Sequence, residues 1–245
     1  MRFAVVLFGQ ARDYKKGHST LMEFIRMHPE STFFFFYHVW KLNEGDRYSV
    51  STHRTHDPTH LIYTSSILED LQSLYHPLAY EEEPVVHLPH SYTSTLAYKN
   101  NCPTTIKNAP NILYQIYSRN KARNIFHRYL KESSAHFDFV ITTRFDIQSV
   151  PLIHHLDPTK TYVNREHLPR RIMPDTFIMT SPLKYVEWFT LYDDMESLLN
   201  NSDLMRKMHS YKETLRFNIE ELIMAQYLYH HGHFNDVVYF QGGLF

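Results

Sequence analysis

The chain has 245 residues, of which 43% are hydrophobic and 15% aromatic, which is enough apolar material for the core of one domain. A formal net charge of -1 supplies no general attraction for nucleic acid or for an anionic membrane surface, so neither is expected as a partner. The single cysteine, Cys102, excludes an internal disulfide and a site built from several thiolates. It fits a reducing compartment, and a cytoplasmic location is expected.

The first predicted elements form a β-α-β unit. Residues 2–8 are a continuous apolar run that indicates a strand buried on both faces, and the run is too short for a signal segment or a membrane span. No transmembrane segment is expected. Helical spacing follows at Leu21, Phe24 and Ile25, and residues 33–40 predict a second, aromatic strand. Residues 41–60 are polar and predict a long loop, a candidate lid over a site.

The rest of the chain continues the alternation of strands and helices. The clearest helix begins near Pro110 and keeps one apolar face through Ile116 and Phe126. The remaining predicted elements are strands at 61–64, 85–88, 137–143, 162–164, 176–180 and 237–240 and helices at 67–74, 183–199 and 219–230. This pattern predicts an α/β fold, a single Rossmann-like domain over residues 1–245 with a mostly parallel central sheet flanked by helices.

Two polar segments come directly after predicted strands. Residues 9–12 follow the first strand, and residues 144–146 follow the strand at 137–143. Because ligands of open α/β sheets bind outside the carboxyl ends of the strands, both segments are expected along one rim of the sheet. The chain has only six glycines and no glycine-rich phosphate loop, so phosphate binding would depend on local side chains.

Several motifs, in order along the chain, resemble those of a group of viral and bacterial GT-A-like glycosyltransferases. The matching segments are residues 8–12 (their SGQPR), 36–40 (VFIHTW), 113–120 (FYSIYKSN), 140–146 (VIRTRFD), 174–177 (NDQF) and 219–222 (PEQLL). The resemblance covers nearly the whole chain and implies a GT-A-type fold and transfer of a sugar from a nucleotide-diphosphate sugar. Ala11 and Ile219 depart from prolines of the motifs, and Thr142 departs from an arginine.

Sugar transfer needs a clamp for the diphosphate, charge to stabilise its departure and a base for the acceptor hydroxyl. The candidate cofactor-binding residues are Gly9, Gln10, Arg12, Tyr117, Lys121 and Arg144. Where the GT-A fold commonly has a DxD motif, this chain has Arg144-Phe145-Asp146, and Asp146 with His233 is predicted to bind Mn²⁺ or Mg²⁺. Asp175 and Glu220 are the candidate catalytic residues, and the PEQLL resemblance favours Glu220 over Glu221.

Each of these residues also has a structural interpretation. Arg144 and Asp146 could simply pair with each other, Gly9 could only turn the chain, and Asp175 could cap a turn. An acidic residue such as Glu220 is favoured at a helix start by the macrodipole alone. Tyrosines at helical spacing are more often core, and the segment 230–233, with three histidines, lacks the spacing of a zinc site.

The sequence therefore predicts a glycosyltransferase whose partners are a nucleotide-sugar donor and a hydroxyl of a glycan or other acceptor. The donor sugar, the acceptor, the stereochemical outcome and the oligomeric state stay open. Two alternatives remain. A sugar nucleotidyltransferase is disfavoured because the chain lacks a phosphate loop rich in glycine and lysine. A non-catalytic carbohydrate- or protein-binding module is favoured by the aromatic content and the degenerate metal motif.

Overall fold

The strands of this chain assemble into one mixed sheet. A computed structural model describes residues 1–48, 62–86, 88, 109–153, 155–164, 173, 176–211 and 219–240. The strands are β1 (Arg2–Gly9), β2 (Thr32–Lys41), β3 (Ala79–Pro84), β4 (Phe139–Arg144), β5 (Thr161–Asn164), β6 (Phe177–Thr180) and β7 (Val237–Phe240). Their order in the sheet is β3-β2-β1-β4-β6-β5-β7. Strands β3, β2, β1 and β4 are parallel neighbours, and β6 runs antiparallel to both β4 and β5.

Helices cover both faces of this sheet. They are α1 (Tyr14–Met27), α2 (Ser66–Tyr75), α3 (Ala109–Glu132), α4 (Pro182–Trp188), α5 (Leu191–Asn200), α6 (Ser202–Tyr211) and α7 (Ile219–His231). The predicted fold class, an α/β fold with a mostly parallel sheet flanked by helices, is confirmed. The assignment of residues 1–245 to one domain stays a prediction. None of the helices described here is both long and apolar enough to cross a membrane.

The apolar first strand separates two halves of the core. Ala4, Val6 and Phe8 pack with α3 to α7 on one face, and alternate residues of the same strand pack with α1 and α2 on the other. Side chains of a strand point alternately to its two faces, so a strand covered on both sides needs an unbroken apolar run. This is the physical reason for the pattern of residues 2–8.

Three predictions about the elements are wrong, and one helix was missed. The strand expected at 85–88 lies instead at Ala79–Pro84, and the strand expected at 61–64 is reduced, in the described part, to a bridge between Arg47 and Ile62. The helix expected at 183–199 is two helices, α4 and α5, with a break at Phe189 and Thr190. Helix α6 was not predicted. Residues 49–61 of the expected loop lie outside the described residues.

A close contact between α1 and the end of β4 fixes the site. Gly17 of α1 packs against Phe145, and a Cβ atom at Gly17 would lie 1.8 Å from the carbonyl oxygen of Phe145. The Phe145 ring is buried on the α1 and α2 face, where its centroid lies 5.8 Å from that of Tyr37 and 6.2 Å from that of Tyr75. Phe145 therefore anchors the turn that carries Arg144 and Asp146.

Candidate functional site

Strand register places several chemically active side chains side by side at the carboxyl end of the sheet. Phe8 of β1 is the register partner of both Arg144 on β4 and His38 on β2, and His38 is the partner of Glu81 on β3. Laterally paired residues of parallel strands point to the same face. Beyond this row, Gly9 ends β1 with a φ of 101°, a left-handed backbone conformation that favours glycine, and the chain turns toward Arg12.

The predicted approach of the two rim segments is found as an arginine–aspartate cluster, formed by Arg12, Arg144 and Asp146. Arg12 donates from Nε to Oδ2 of Asp146 at 2.7 Å. Arg144 donates from Nε to Oδ1 at 2.8 Å and from Nη2 to Oδ2 at 2.7 Å. Both carboxylate oxygens therefore accept charge-assisted hydrogen bonds, with a bidentate geometry toward Arg144.

The two arginines keep Asp146 ionised although it is buried. Burial acts to raise the pKa of this carboxyl group, but the charges of Arg144 and Arg12 and their hydrogen bonds outweigh burial and lower the pKa to about 2. Counted over these three side chains alone, two guanidinium groups and one carboxylate carry a formal charge of +1. It is a basic position at the rim where the fold places ligands.

A second group of polar side chains, the histidine–glutamate network, lies on the other side of β1. It consists of His38, Glu81, Glu83, Tyr117, Ser118 and Lys121. Nδ1 of His38 lies 2.7 Å from Oγ of Ser118, and Nε2 lies 3.1 Å from Oε2 of Glu83. The backbone N–H of Gly9 donates to Oγ of Ser118 at 2.8 Å. The network thus connects directly to the turn that leads into the arginine–aspartate cluster.

These bonds assign the proton on the imidazole of His38. Burial lowers the pKa of His38, against an opposing effect of Glu83, so the ring is neutral at pH 7. An ionised carboxylate only accepts, so Nε2–H donates to Glu83. Nδ1 then accepts from the Ser118 hydroxyl, whose oxygen accepts from Gly9. Every partner in this chain of bonds is satisfied, which holds the Gly9 turn against α3.

The order serine, histidine and glutamate suggests a hydrolytic triad, but the burial of the group argues against one. Ser118 and His38 both have 0% relative exposure, and the Ser118 oxygen already accepts the Gly9 N–H. A nucleophile has to reach the substrate with a free lone pair. The group is consequently a structural brace.

Two of the predicted nucleotide-binding residues belong to this network. The Tyr117 hydroxyl donates to Oε1 of Glu83 at 3.0 Å, and the Tyr117 ring stacks on Trp40 with centroids 5.4 Å apart. Lys121 pairs with Glu81 at 3.1 Å and with Glu83 at 3.3 Å. Burial acts to lower the pKa of Lys121, but the bonds with Glu81 and Tyr117 outweigh it and raise that pKa.

The residues predicted to share a divalent cation do not come together. Strands β7 and β4 run in the same direction, because β7 is parallel to β5 and both β5 and β4 are antiparallel to β6. His233 precedes the first residue of β7, whereas Asp146 follows the last residue of β4. The two residues therefore lie toward opposite ends of the strands, which argues against one metal site formed by both, and a shared cation at these residues stays a prediction.

One other group could hold a metal ion in the described part of the chain. His38, Glu81 and Glu83 each offer a ligand atom, and these atoms lie within 4.8 Å of one another. Nitrogen and carboxylate oxygen ligands of this kind suit several divalent ions. The Lys121 ammonium group already pairs with both carboxylates, so a metal there would compete with Lys121.

The remaining candidates stay predictions. Gln10 is half-buried in the turn after β1. Glu220 is half-buried in the first turn of α7, a helix that packs against α4, α5 and α6, whereas its neighbour Glu221 is fully buried. Asp175 lies outside the described residues.

Sequence reasoning missed Glu81 and Glu83. Both lie on β3, the edge strand whose position was predicted too late in the chain. The available signal was the run of three glutamates at 81–83, because charged residues are typical of an edge strand that avoids pairing with other chains. An edge strand lacks the continuous apolar run by which the central strands were recognised.

The fold and the site together define an α/β protein with a basic polar site at the carboxyl edge of a mostly parallel sheet. No protein-family model matches the chain, and no curated protein matches its sequence. Among solved structures, the chain is similar to a galactosyltransferase, LgtC, in complex with donor and acceptor sugar analogues, with a TM-score of 0.39 and 11% identity over 98% of this chain and 73% of that one.

It is also similar to the apo form of mouse xyloside xylosyltransferase 1, with a TM-score of 0.34 and 11% identity over 95% of this chain and 83% of that one. Likenesses at this level carry no conclusion about activity.

Proposed function

We propose that this protein is a glycosyltransferase that transfers a sugar from a nucleotide-diphosphate sugar to a hydroxyl group of a glycan or other acceptor. The observation that carries the proposal is the arginine–aspartate cluster at the carboxyl ends of β1 and β4, beside the Gly9 turn. The carboxyl ends of the strands are the usual ligand position in an open α/β sheet.

The cluster suits a diphosphate in charge and in geometry. Guanidinium groups bind phosphate oxygens through paired N–H donors, and their charge persists at every physiological pH. The formal charge of +1 attracts an anion locally, in a chain whose overall formal net charge is -1. The Gly9 turn, without a side chain, allows a ligand to approach the backbone.

The proposed reaction breaks the bond between the anomeric carbon of the sugar and the diphosphate oxygen, which leaves with the electron pair. The acceptor hydroxyl oxygen forms a bond to that carbon, and its proton passes to a base. Positive charge next to the departing diphosphate stabilises the negative charge that develops there. Glu220 and Asp175 remain the proposed candidates for the base.

The test is a thermal-shift screen of the purified chain with UDP-, GDP-, CMP- and dTDP-sugars, each with Mn²⁺, with Mg²⁺ and with EDTA. A ligand that binds only the folded state raises the melting temperature, and we expect one of the nucleotide-diphosphate sugars to do so, not the CMP-sugars, which carry a single phosphate. Slow hydrolysis of that nucleotide sugar, measured by release of its nucleotide, is expected as well. Arg12→Gln is expected to lose both effects. The matched control is Arg206→Gln, which removes an exposed guanidinium paired with Asp203.

Two results would replace the proposal. A chain that no nucleotide stabilises under any cation condition is better explained as a carbohydrate- or protein-binding module. Release of pyrophosphate from a nucleoside triphosphate and a sugar phosphate would identify a nucleotidyltransferase.

A further inference from the structure

We propose that Arg12 and Arg144 themselves supply the positive charge that the donor diphosphate requires, and that Asp146 orients these two arginines instead of binding a divalent cation. This inference rests on the proposed function and specifies its cofactor requirement. It replaces the expectation of Mn²⁺ or Mg²⁺ held by Asp146.

The first support is that the donor set at Asp146 does not fit a metal ion. A hard divalent cation needs several oxygen ligands with accessible lone pairs. Asp146 provides one carboxylate, both of whose oxygens accept hydrogen bonds from guanidinium groups at 2.7–2.8 Å. A cation bound there would break these bonds and would lie next to two positive charges, which repel it.

The second support is the order in which the groups meet solvent. The side chains of Arg12 and Arg144 are 16% and 15% exposed, whereas that of Asp146 is 3% exposed. An anion that arrives from solvent therefore reaches the guanidinium groups before the carboxylate. Asp146, which stays ionised, holds both groups in place from behind.

The third support is that the other candidate metal site has the same character. At His38, Glu81 and Glu83, the Lys121 ammonium group lies 3.1 Å from one carboxylate and 3.3 Å from the other. In both places, a cationic side chain of the protein already pairs with the carboxylates that a metal ion would need. The described rim thus carries fixed cations beside its carboxylates.

The experiment measures the binding of inorganic pyrophosphate and of nucleoside diphosphates by titration calorimetry, in EDTA, in Mn²⁺ and in Mg²⁺. We expect dissociation constants that agree within about threefold across the three conditions. Arg12→Gln is expected to weaken binding by about tenfold or more in EDTA, since a charge-assisted contact is lost. Arg12→Lys, which keeps the charge, is expected to recover part of the affinity, and Arg206→Gln is expected to bind like the wild type.

The possible failures separate the two proposals. Binding that requires Mn²⁺ or Mg²⁺ and disappears in EDTA overturns this inference and leaves the proposed function standing. Binding of pyrophosphate in EDTA that depends on Arg12, without binding of any nucleoside diphosphate, supports the arginine site and contradicts the proposed function. Absence of binding by either probe in all conditions, or binding unaffected by Arg12→Gln, overturns the inference.

Discussion

Replacing Asp146 with asparagine tests whether the two arginines hold an ionised carboxylate. The change removes one buried negative charge and keeps the size of the side chain. Burial acts to raise the pKa of Asp146, but Arg144 and Arg12 lower it from the ordinary value of 3.8 to about 2. Since one pKa unit corresponds to about 1.4 kcal/mol, this lowering corresponds to about 2–3 kcal/mol of folding free energy.

The sign of the pH dependence follows from the lowered pKa. The folded state binds the proton more weakly than the unfolded state, so this stabilisation is complete above about pH 4 and is lost as the pH falls to about 2. At pH 7, the Asp146→Asn variant is expected to be less stable than the wild type by about 2 kcal/mol or more, because the asparagine amide also presents donors to the guanidinium groups. The difference is expected to narrow by about 2 kcal/mol between pH 4 and pH 2.

The assay is urea unfolding of both proteins across this pH range, which reports the free energy of unfolding. Other carboxyl groups with lowered pKa values, such as Glu83 and Asp236, titrate in both proteins and cancel in the difference. Asp203→Asn, at an exposed surface pair, is the control and is expected to change stability by less than about 0.5 kcal/mol. A wild-type advantage that is absent at pH 7, or that stays constant down to pH 2, would refute the charge-based explanation.

Three further predictions concern the surroundings of the site. Gly17→Ala is expected to lower the free energy of unfolding in urea by about 1–3 kcal/mol, because its Cβ would collide with the Phe145 backbone. Ser19→Ala, on the exposed side of α1, is the control. Equal stability of the two variants would contradict the close contact. Ser118→Ala is expected to lower the free energy of unfolding by about 1–3 kcal/mol, because it leaves the Gly9 N–H and His38 Nδ1 without this hydrogen-bond partner. The control is Ser210→Ala on the surface. An unchanged unfolding midpoint of Ser118→Ala would contradict a structural role for the Ser118–His38 pair. Burial lowers the pKa of His38, so stability is expected to rise with pH between that lowered pKa and the ordinary pKa of about 6.5. NMR of the imidazole should show that more than half of the His38 rings are neutral at about pH 6.5. A ring that is mostly protonated at that pH would contradict the assignment.

The sheet could be predicted from the sequence because its central strands are buried on both faces. The runs at residues 2–8 and 33–40 are apolar for that reason, and the structure has β1 and β2 there. The topological rule on carboxyl ends then placed Arg12 and Asp146 on one rim, and the two residues are in contact.

The parts that could not be predicted depend on long-range packing. β3 is an edge strand with glutamates at 81–83, so the pattern of alternating or continuous apolar residues is absent. The break between α4 and α5 falls at Phe189, a buried residue in a segment whose composition still suits a helix, so tertiary packing decides where the helix ends. The separation of His233 from Asp146 depends on the direction of β6, which no local pattern specifies.

The most direct test of the central claim is a glycine-selective ¹⁵N NMR spectrum recorded while a nucleoside diphosphate is added. The chain has six glycines, so the spectrum is simple. Gly9 lies in the turn beside the arginine–aspartate cluster, whereas Gly232 precedes β7, toward the opposite end of the strands. The amide resonance of Gly9 is expected to shift with saturation while that of Gly232 stays fixed, and Arg12→Gln is expected to abolish the shift. A titration that moves Gly232 and leaves Gly9 unchanged, or that moves neither, would contradict a donor site at this rim.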